Sequence, residues 1–188
     1  MKTIYIYILS IILLANSSTS FAQGFQPPSK GKAVVYFARV TKYGKKAKFE
    51  YFHQDKYIGV FKGQNYLRYE CDPGQNLLWV STENKEFVTA DLKEGETYIV
   101  IVNVIMGFAS ARVGFSPITE KDIEFDRARE LILAKGPIIT PEEKIAEMNV
   151  KLADFIKEKL IQYETDWKLT KNFRHISPEM AIPSNAMN

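Results

Sequence analysis

Residues Thr97 to Met106 read TYIVIVNVIM, a run in which only Thr97 and Asn103 interrupt the apolar and aromatic residues. Its shortness and its Ile and Val content favour a strand over a helix. A strand that is apolar at both odd and even positions has no face to give to water. It belongs in the middle of a sheet, covered on both sides.

The segments around it alternate. AVVYFARV (Ala33 to Val40) is rich in β-branched and aromatic residues, as a strand should be. In Lys48 to His53 the side chains of Phe49, Tyr51 and His53 share one face, and Lys48 and Glu50 share the other. Gln54-Asp55 separates this run from Lys56 to Phe61, so the two should form a hairpin. Asn65 to Cys71, Gln75 to Thr82 and Glu86 to Leu92 follow, and after Gly107 the stretch Phe108 to Phe115 continues the pattern. Strands at spacings of about ten residues read as a mainly β fold, an antiparallel β-sandwich of about seven to eight strands or a barrel. Between Cys71 and Gln75, Asp72-Pro73-Gly74 has the chemistry of a tight turn, so YECDPGQNLLWVST is expected to be a hairpin.

Beyond Ser116-Pro117 the character changes. Thr119 and Asp122 open a helical run from Glu120 to about Lys135, closed by Gly136-Pro137. Thr140-Pro141-Glu142-Glu143 has the pattern of a capping box at the start of a second helix. There Ile145, Met148, Leu152, Phe155 and Ile156, extended by Leu160 and Tyr163, make one apolar stripe. The expected architecture therefore ends in one or two C-terminal α-helices, lying on the sandwich or between protomers.

At the other end, Met1-Lys2 precedes an apolar stretch from Ile4 to Ala15, and Ser20-Phe21-Ala22 supplies small residues where signal peptidase reads. Such a stretch rises about 18 Å as a helix, short of the roughly 30 Å hydrocarbon core. This is the pattern of a secretory signal cleaved after Ala22. The chain then divides into a signal segment (1–22), an extended leader (23–32), a β-domain (33–118), a helical extension (119–164) and an irregular tail (165–188). The expected location is periplasmic or extracellular.

Composition excludes some tasks. A formal net charge of +3 with interspersed signs lacks the basic concentration of a nucleic-acid binder. One cysteine, Cys71, allows no internal disulfide. Cys71 falls in line with Leu67 and Tyr69, and Glu70 and Asp72 would raise its pKa, so it reads as a core residue rather than a reactive thiol. The two histidines, His53 and His175, stand in no metal-spaced cluster. His53 beside Asp55 reads as a hairpin end. Lys42, Lys45 and Lys46, with Tyr43 among them, form a basic loop able to touch an anionic glycan or lipid head group. Tyr36, Tyr57 and Tyr66 are the aromatics whose facing is ambiguous, and so the candidates for exposure. No residue is assigned a catalytic, cofactor-binding or metal-ligating role.

The strand KAVVYFAR, the stretch FHQDKYIGVFKGQNYLRYECDPG, the strand NLLWVST and KEGETYIVIVNV followed by GFASARVGFSPIT occur in an order and spacing that resemble domain-of-unknown-function family 2846. Its members are small β-domains of bacterial envelope proteins. The Gly-Gln-Asn-Tyr, Pro-Gly and Glu-Gly-Glu-Thr-Tyr landmarks are also similar to PEGA-type surface β-domains. The resemblance covers residues 32 to about 118 and implies a β-fold without catalysis. Many relatives carry a lipid-anchor cysteine at the mature N-terminus, where this chain has Ala22-Gln23.

The expected function is thus a non-catalytic secreted envelope module, binding a protein or glycan of the cell envelope through a sheet face or loops. It is not membrane-spanning and needs no cofactor, and a second copy could dock through the C-terminal helix. The alternatives are an apolar-ligand carrier and an envelope hydrolase with an unrecognised site.

Overall fold

The computed structural model describes residues 23–106 and 111–188. The expected signal segment lies outside the described residues. Nine strands are present among them: β1 (Ala33–Ala38), β2 (Lys48–His53), β3 (Lys56–Lys62), β4 (Tyr66–Cys71), β5 (Gly74–Ser81), β6 (Lys85–Leu92), β7 (Thr97–Met106), β8 (Ala111–Ile118) and β9 (Arg174–Ile176). They form two sheets, ordered β4-β1-β7-β8 and β3-β2-β5-β6-β9. The helices are α1 (Phe125–Ala134), α2 (Glu142–Lys151), α3 (Ala153–Gln162) and the short α4 (Lys168–Thr170), with a π-helical turn at Tyr163–Trp167 between the last two.

The mainly β expectation holds, but the sheets are mixed rather than antiparallel. β1 and β7 pair in parallel, as do β6 and β9. Parallel neighbours need a long connection instead of a hairpin. Here β2 to β6 connect the first pair, and the hairpin β7–β8 with the helices connects the second.

Alternation sends the residues of β1 and β7 to two different cores. Ala33, Val35 and Phe37, with Tyr98, Val100 and Val102, meet Tyr51, Leu78, Val80 and Val88 of the second sheet. Val34, Tyr36 and Ala38, with Ile99 and Ile101, face outward and are covered by Phe125, Ala128, Leu131 and Ile132. β7 lies between β1 and β8, and from Tyr98 to Val102 it is covered on both faces, as its composition requires, whereas Ile105 near its end is exposed.

The outer face of the second sheet has its own cover. Phe52, Tyr57, Trp79 and Phe87 pack against Met148, Ile156 and Tyr163, so the apolar stripe of the C-terminal helices lies on the chain's own sheet. Trp79 stacks on Phe52 at 3.8 Å and lies 5.3 Å from Phe87. Each such aromatic pair contributes about 0.5–1.5 kcal/mol beyond simple burial. The expected single helix is broken at Leu152, and the π turn brings both Tyr163 and Trp167 onto Phe87.

Several local expectations are corrected. YECDPGQNLLWVST is not a hairpin: β4 pairs with β1 and β5 with β2 and β6, so Asp72-Pro73-Gly74 is a corner between sheets. A turn signal specifies a reversal, but not which sheet the next strand joins. Tyr36, Tyr57 and Tyr66 are all buried, because the helices and the leader cover the faces they occupy. Thr119 and Asp122 make a hydrogen-bonded turn ahead of α1 rather than its first residues. The tail is not wholly irregular, since β9 adds to β6 and Ile182 joins the core beneath α1, donating its N–H to Thr97 O at 2.8 Å.

Thr140 does not cap α2. Its hydroxyl accepts the Val60 N–H at 3.2 Å, while Ile138 donates its own N–H to Tyr66 O at 2.8 Å. β3 and β4 are the edge strands of the two sheets on this side, so residues 138–140 bridge two edges that would otherwise offer free backbone groups. Gly59 permits the approach. Its φ is 154°, and a Cβ there would sit 2.9 Å from Thr140 Oγ1. Gly59→Ala is expected to lower stability by about 1–3 kcal/mol in urea denaturation, through both strain and displacement of Thr140.

Candidate functional site

The chain crosses between the sheets at both ends, and each end buries a different polar group. At one end the β2–β3 turn and the β4–β5 corner meet. His53 projects from β2 between Tyr69 of β4 and Asn76 of β5, with Nδ1 2.9 Å from Tyr69 Oη and Nε2 2.8 Å from Asn76 Oδ1. Asn76 is oriented by its amide nitrogen, which donates to Asp72 O and Gly74 O. Its oxygen therefore faces the ring, Nε2 carries the proton, and Nδ1 accepts from the Tyr69 hydroxyl.

Both ring nitrogens of the neutral imidazole are thus occupied. Burial holds His53 below its ordinary value of 6.5, against the opposing pull of the Asn76 hydrogen bond. Asp55 makes no hydrogen bond to it among the described residues. Tyr69 and Asn76 are partners that alternation within single strands could not reveal, because each lies on a different strand. Cys71 is in the core between the sheets, where burial, reinforced by Asp72, pushes its thiol up to about 11.

His175 is elsewhere, on β9, its Nδ1 2.9 Å from Thr89 Oγ1. The polar cleft it borders, about 570 Å³, also draws on Gln54, Asn76, Asp91 and Glu164. The two histidines are not brought together. Among the described residues no group of three or more His, Cys, Asp or Glu side chains is arranged to hold a metal ion.

The opposite end is basic. The β1–β2 loop and the β3–β4 turn lie side by side there, joined by the Arg39 N–H to Asn65 O bond at 2.9 Å. Arg39 is fully buried, and its guanidinium donates to the backbone oxygens of Tyr43, Gly44 and Ala47 at 2.7, 2.6 and 3.0 Å. It also lies 4.9 Å from the centre of the Phe49 ring. No carboxylate pairs with it among the described residues. Burial lowers its pKa, and its Nε–H has no partner among the described residues. An unpaired buried cation costs several kcal/mol unless dipoles replace the lost water, and three carbonyls and a ring face supply part of that.

Arg39 thereby shapes the loop that carries Lys42, Lys45 and Lys46, all exposed. Across the neighbouring hairpin, Lys48 stands directly opposite Lys62. Like charges in that relation destabilise a sheet. Among the described residues none of these five lysines pairs with a carboxylate, whereas Lys32, Lys144, Lys159 and Lys168 do. Arg39 had one readable signal: it continues the inward-facing series of Val35 and Phe37. The Lys48–Lys62 pairing depends on strand register and had none.

No family model matches the chain, and no curated protein or solved structure matches it either.

Two outcomes follow from the His53 end. In the unfolded chain His53 titrates near its ordinary value, while in the fold it stays neutral to lower pH. Stability is then fully present above about 6.5 and declines as pH falls through the lowered folded value. Thermal unfolding between pH 7.5 and 5.5 should show this decline, and His53→Gln should flatten it. The Cys71 thiol should react with an alkylating reagent at pH 8 at least about tenfold more slowly in the folded protein than in urea, since thiolate is the reactive form.

Proposed function

We propose that this chain is an exported, non-catalytic module of the cell envelope that holds a protein or glycan partner through the loops at its basic end. The observation that carries the reading is the group of exposed lysines, Lys42, Lys45, Lys46, Lys48 and Lys62, left without carboxylate partners among the described residues. In a chain of nearly balanced charge, unpaired cations gathered at one end create a local field that attracts anions. Both outer sheet faces carry helices, so loops are the surface this reading uses.

Other features favour the same reading. His53, the residue best placed to do proton chemistry, has both ring nitrogens committed to neighbours. A catalytic base needs a lone pair within reach of a substrate proton. Export rests on the Lys2 to Ala22 pattern, and the order of landmarks over residues 32–118 resembles that of envelope β-domains. No helix among the described residues is long and apolar enough to cross a membrane. A carrier would use the groove beside α3, about 650 Å³ and lined by Ala153, Ile156, Leu160 and Ile161. That groove also carries charge of both signs, Asp55 and Glu164 against Lys157, which suits a wholly apolar ligand poorly.

The test is co-sedimentation of the purified mature chain with washed envelope fragments. Wild type should pellet at low salt and remain in solution at about 0.5 M salt, where screening shortens the reach of surface charge to a few ångström. Lys42→Glu/Lys45→Glu/Lys46→Glu should not pellet while keeping the wild-type circular dichroism spectrum. Equal pelleting of the two proteins, or none by wild type, refutes the reading.

A further inference from the structure

The basic end is built around two recesses rather than a convex patch. One, about 600 Å³, lies between the start of the β1–β2 loop and α1 and is lined by Thr41, Lys42, Gln64, Arg127, Glu130 and Lys135. The other, about 570 Å³, lies between β3 and α2; its polar wall is Lys48, Glu50, Lys62, Asn65 and Lys144, and its floor is apolar, with Val60, Ile138 and Met148. Gln64 and Asn65, adjacent in the β3–β4 turn, each line one of them. The two recesses therefore flank a single turn, each with more cationic than anionic side chains on its wall. Each recess has a single acid among its described lining residues, Glu130 in the first and Glu50 in the second.

The walls also carry hydrogen-bond acceptors. The amide nitrogens of Gln64 and Asn65 are committed, to Val40 O at 3.0 Å and Lys62 O at 2.8 Å. Their amide oxygens remain as acceptors, and Thr41 adds a hydroxyl. An acceptor beside a lysine disfavours a bare phosphate cluster, which brings only acceptors of its own. It suits a ligand that carries hydroxyl donors and negative charge on the same repeating unit. The recess sizes fall within the range of small-molecule sites. A folded protein partner would instead need roughly 800 Å² of matching surface.

From this juxtaposition we propose that the β3–β4 turn is straddled by an acidic polysaccharide, with successive sugar units in the two recesses. Lys42 and Lys135 would take an anionic group on one side, and Lys48 and Lys62 on the other. The inference deepens the loop-binding reading above and rests on it. It also supplies a use for the Lys48–Lys62 pair: a carboxylate or sulfate between the two ammonium groups turns a repulsive contact into two attractive ones. Arg39, buried behind the loop without a counter-ion, adds its charge to the same field.

The test uses titration calorimetry of the mature chain at low salt with four probes. These are polygalacturonate, heparin, neutral dextran, and vesicles of phosphatidylglycerol with phosphatidylcholine. The expected result is binding of polygalacturonate or heparin, no binding of dextran or vesicles, and at least about a tenfold loss of affinity at 0.3 M salt. Lys48→Gln/Lys62→Gln should weaken binding about tenfold while raising the melting temperature, because it removes a like-charge pair. A residue with a merely structural role would lose stability and binding together. Lys93→Gln/Lys121→Gln, which removes two lysines lining neither recess, should leave binding unchanged.

The inference is overturned if neither acidic polymer binds, if the Lys48/Lys62 variant binds as wild type does, or if dextran binds equally. Lysine-dependent binding to the vesicles alone also overturns it, and would leave the basic loops as the binding surface but with a lipid in place of a protein or glycan. Formation of new reducing ends in the polymer would instead defeat the non-catalytic reading, so the two failures are distinguishable.

Discussion

Strand β1 and the Tyr98–Val102 stretch of β7 give no face to water, and the arrangement of every other element depends on that. Each sends alternate residues into two separate cores, one shared with the second sheet and one beneath α1. Covering a sheet on one side only would leave Val34, Tyr36, Ile99 and Ile101 exposed, and removing such side chains from water is worth about 1.5–3 kcal/mol apiece. The second sheet faces the same demand through Phe52, Trp79 and Phe87, which α2, α3 and the π turn satisfy. Four layers result, helices outside and sheets inside, and the connections between them are pushed to the two ends.

Those ends show what becomes of polar groups where apolar layers stop. At one, His53, Tyr69 and Asn76 close the gap between the sheets with a neutral chain of hydrogen bonds. At the other, Arg39 closes it with a charge held by carbonyls. A neutral network is satisfied within itself. A buried cation that no carboxylate pairs among the described residues projects its field outward, and Lys42, Lys45, Lys46, Lys48 and Lys62 lie at the same end. The asymmetry gives the Arg39 end a local positive character, which is what the proposed partner binding uses, even though net charge over the whole chain gives no hint of it.

How far alternation can be trusted is visible residue by residue. It places Cys71 correctly in the core, and it places the stripe from Ile145 to Tyr163 on an apolar surface. It misjudges Tyr36, Tyr57 and Tyr66, because facing outward from a sheet means exposure only when nothing lies on that sheet. It takes Asp72-Pro73-Gly74 for a hairpin turn, although the same backbone reversal serves a strand that changes sheets. Thr140 fails for a related reason: its hydroxyl had two possible uses, and the nearby Val60 N–H at a sheet edge took precedence over the helix end. Of the candidate site, Lys42, Lys45, Lys46 and Tyr43 were legible in the sequence, whereas Arg39, although it continues the series of Val35 and Phe37, was not singled out.

Local composition by itself determined eight of the nine described strands, the presence of helices beyond Ser116-Pro117, the double covering of Tyr98–Val102 and the burial of Cys71. These depend on periodicity and on the character of adjacent residues, which are properties of the chain taken in order. Only the tertiary structure decided that β1 and β7 run parallel, that Lys48 faces Lys62, and that His53 is held by Tyr69 and Asn76 rather than by Asp55. Each of those is a pairing between strands, set by which apolar surfaces bury one another best, and no window along the sequence contains both partners together with the surfaces that bring them into contact.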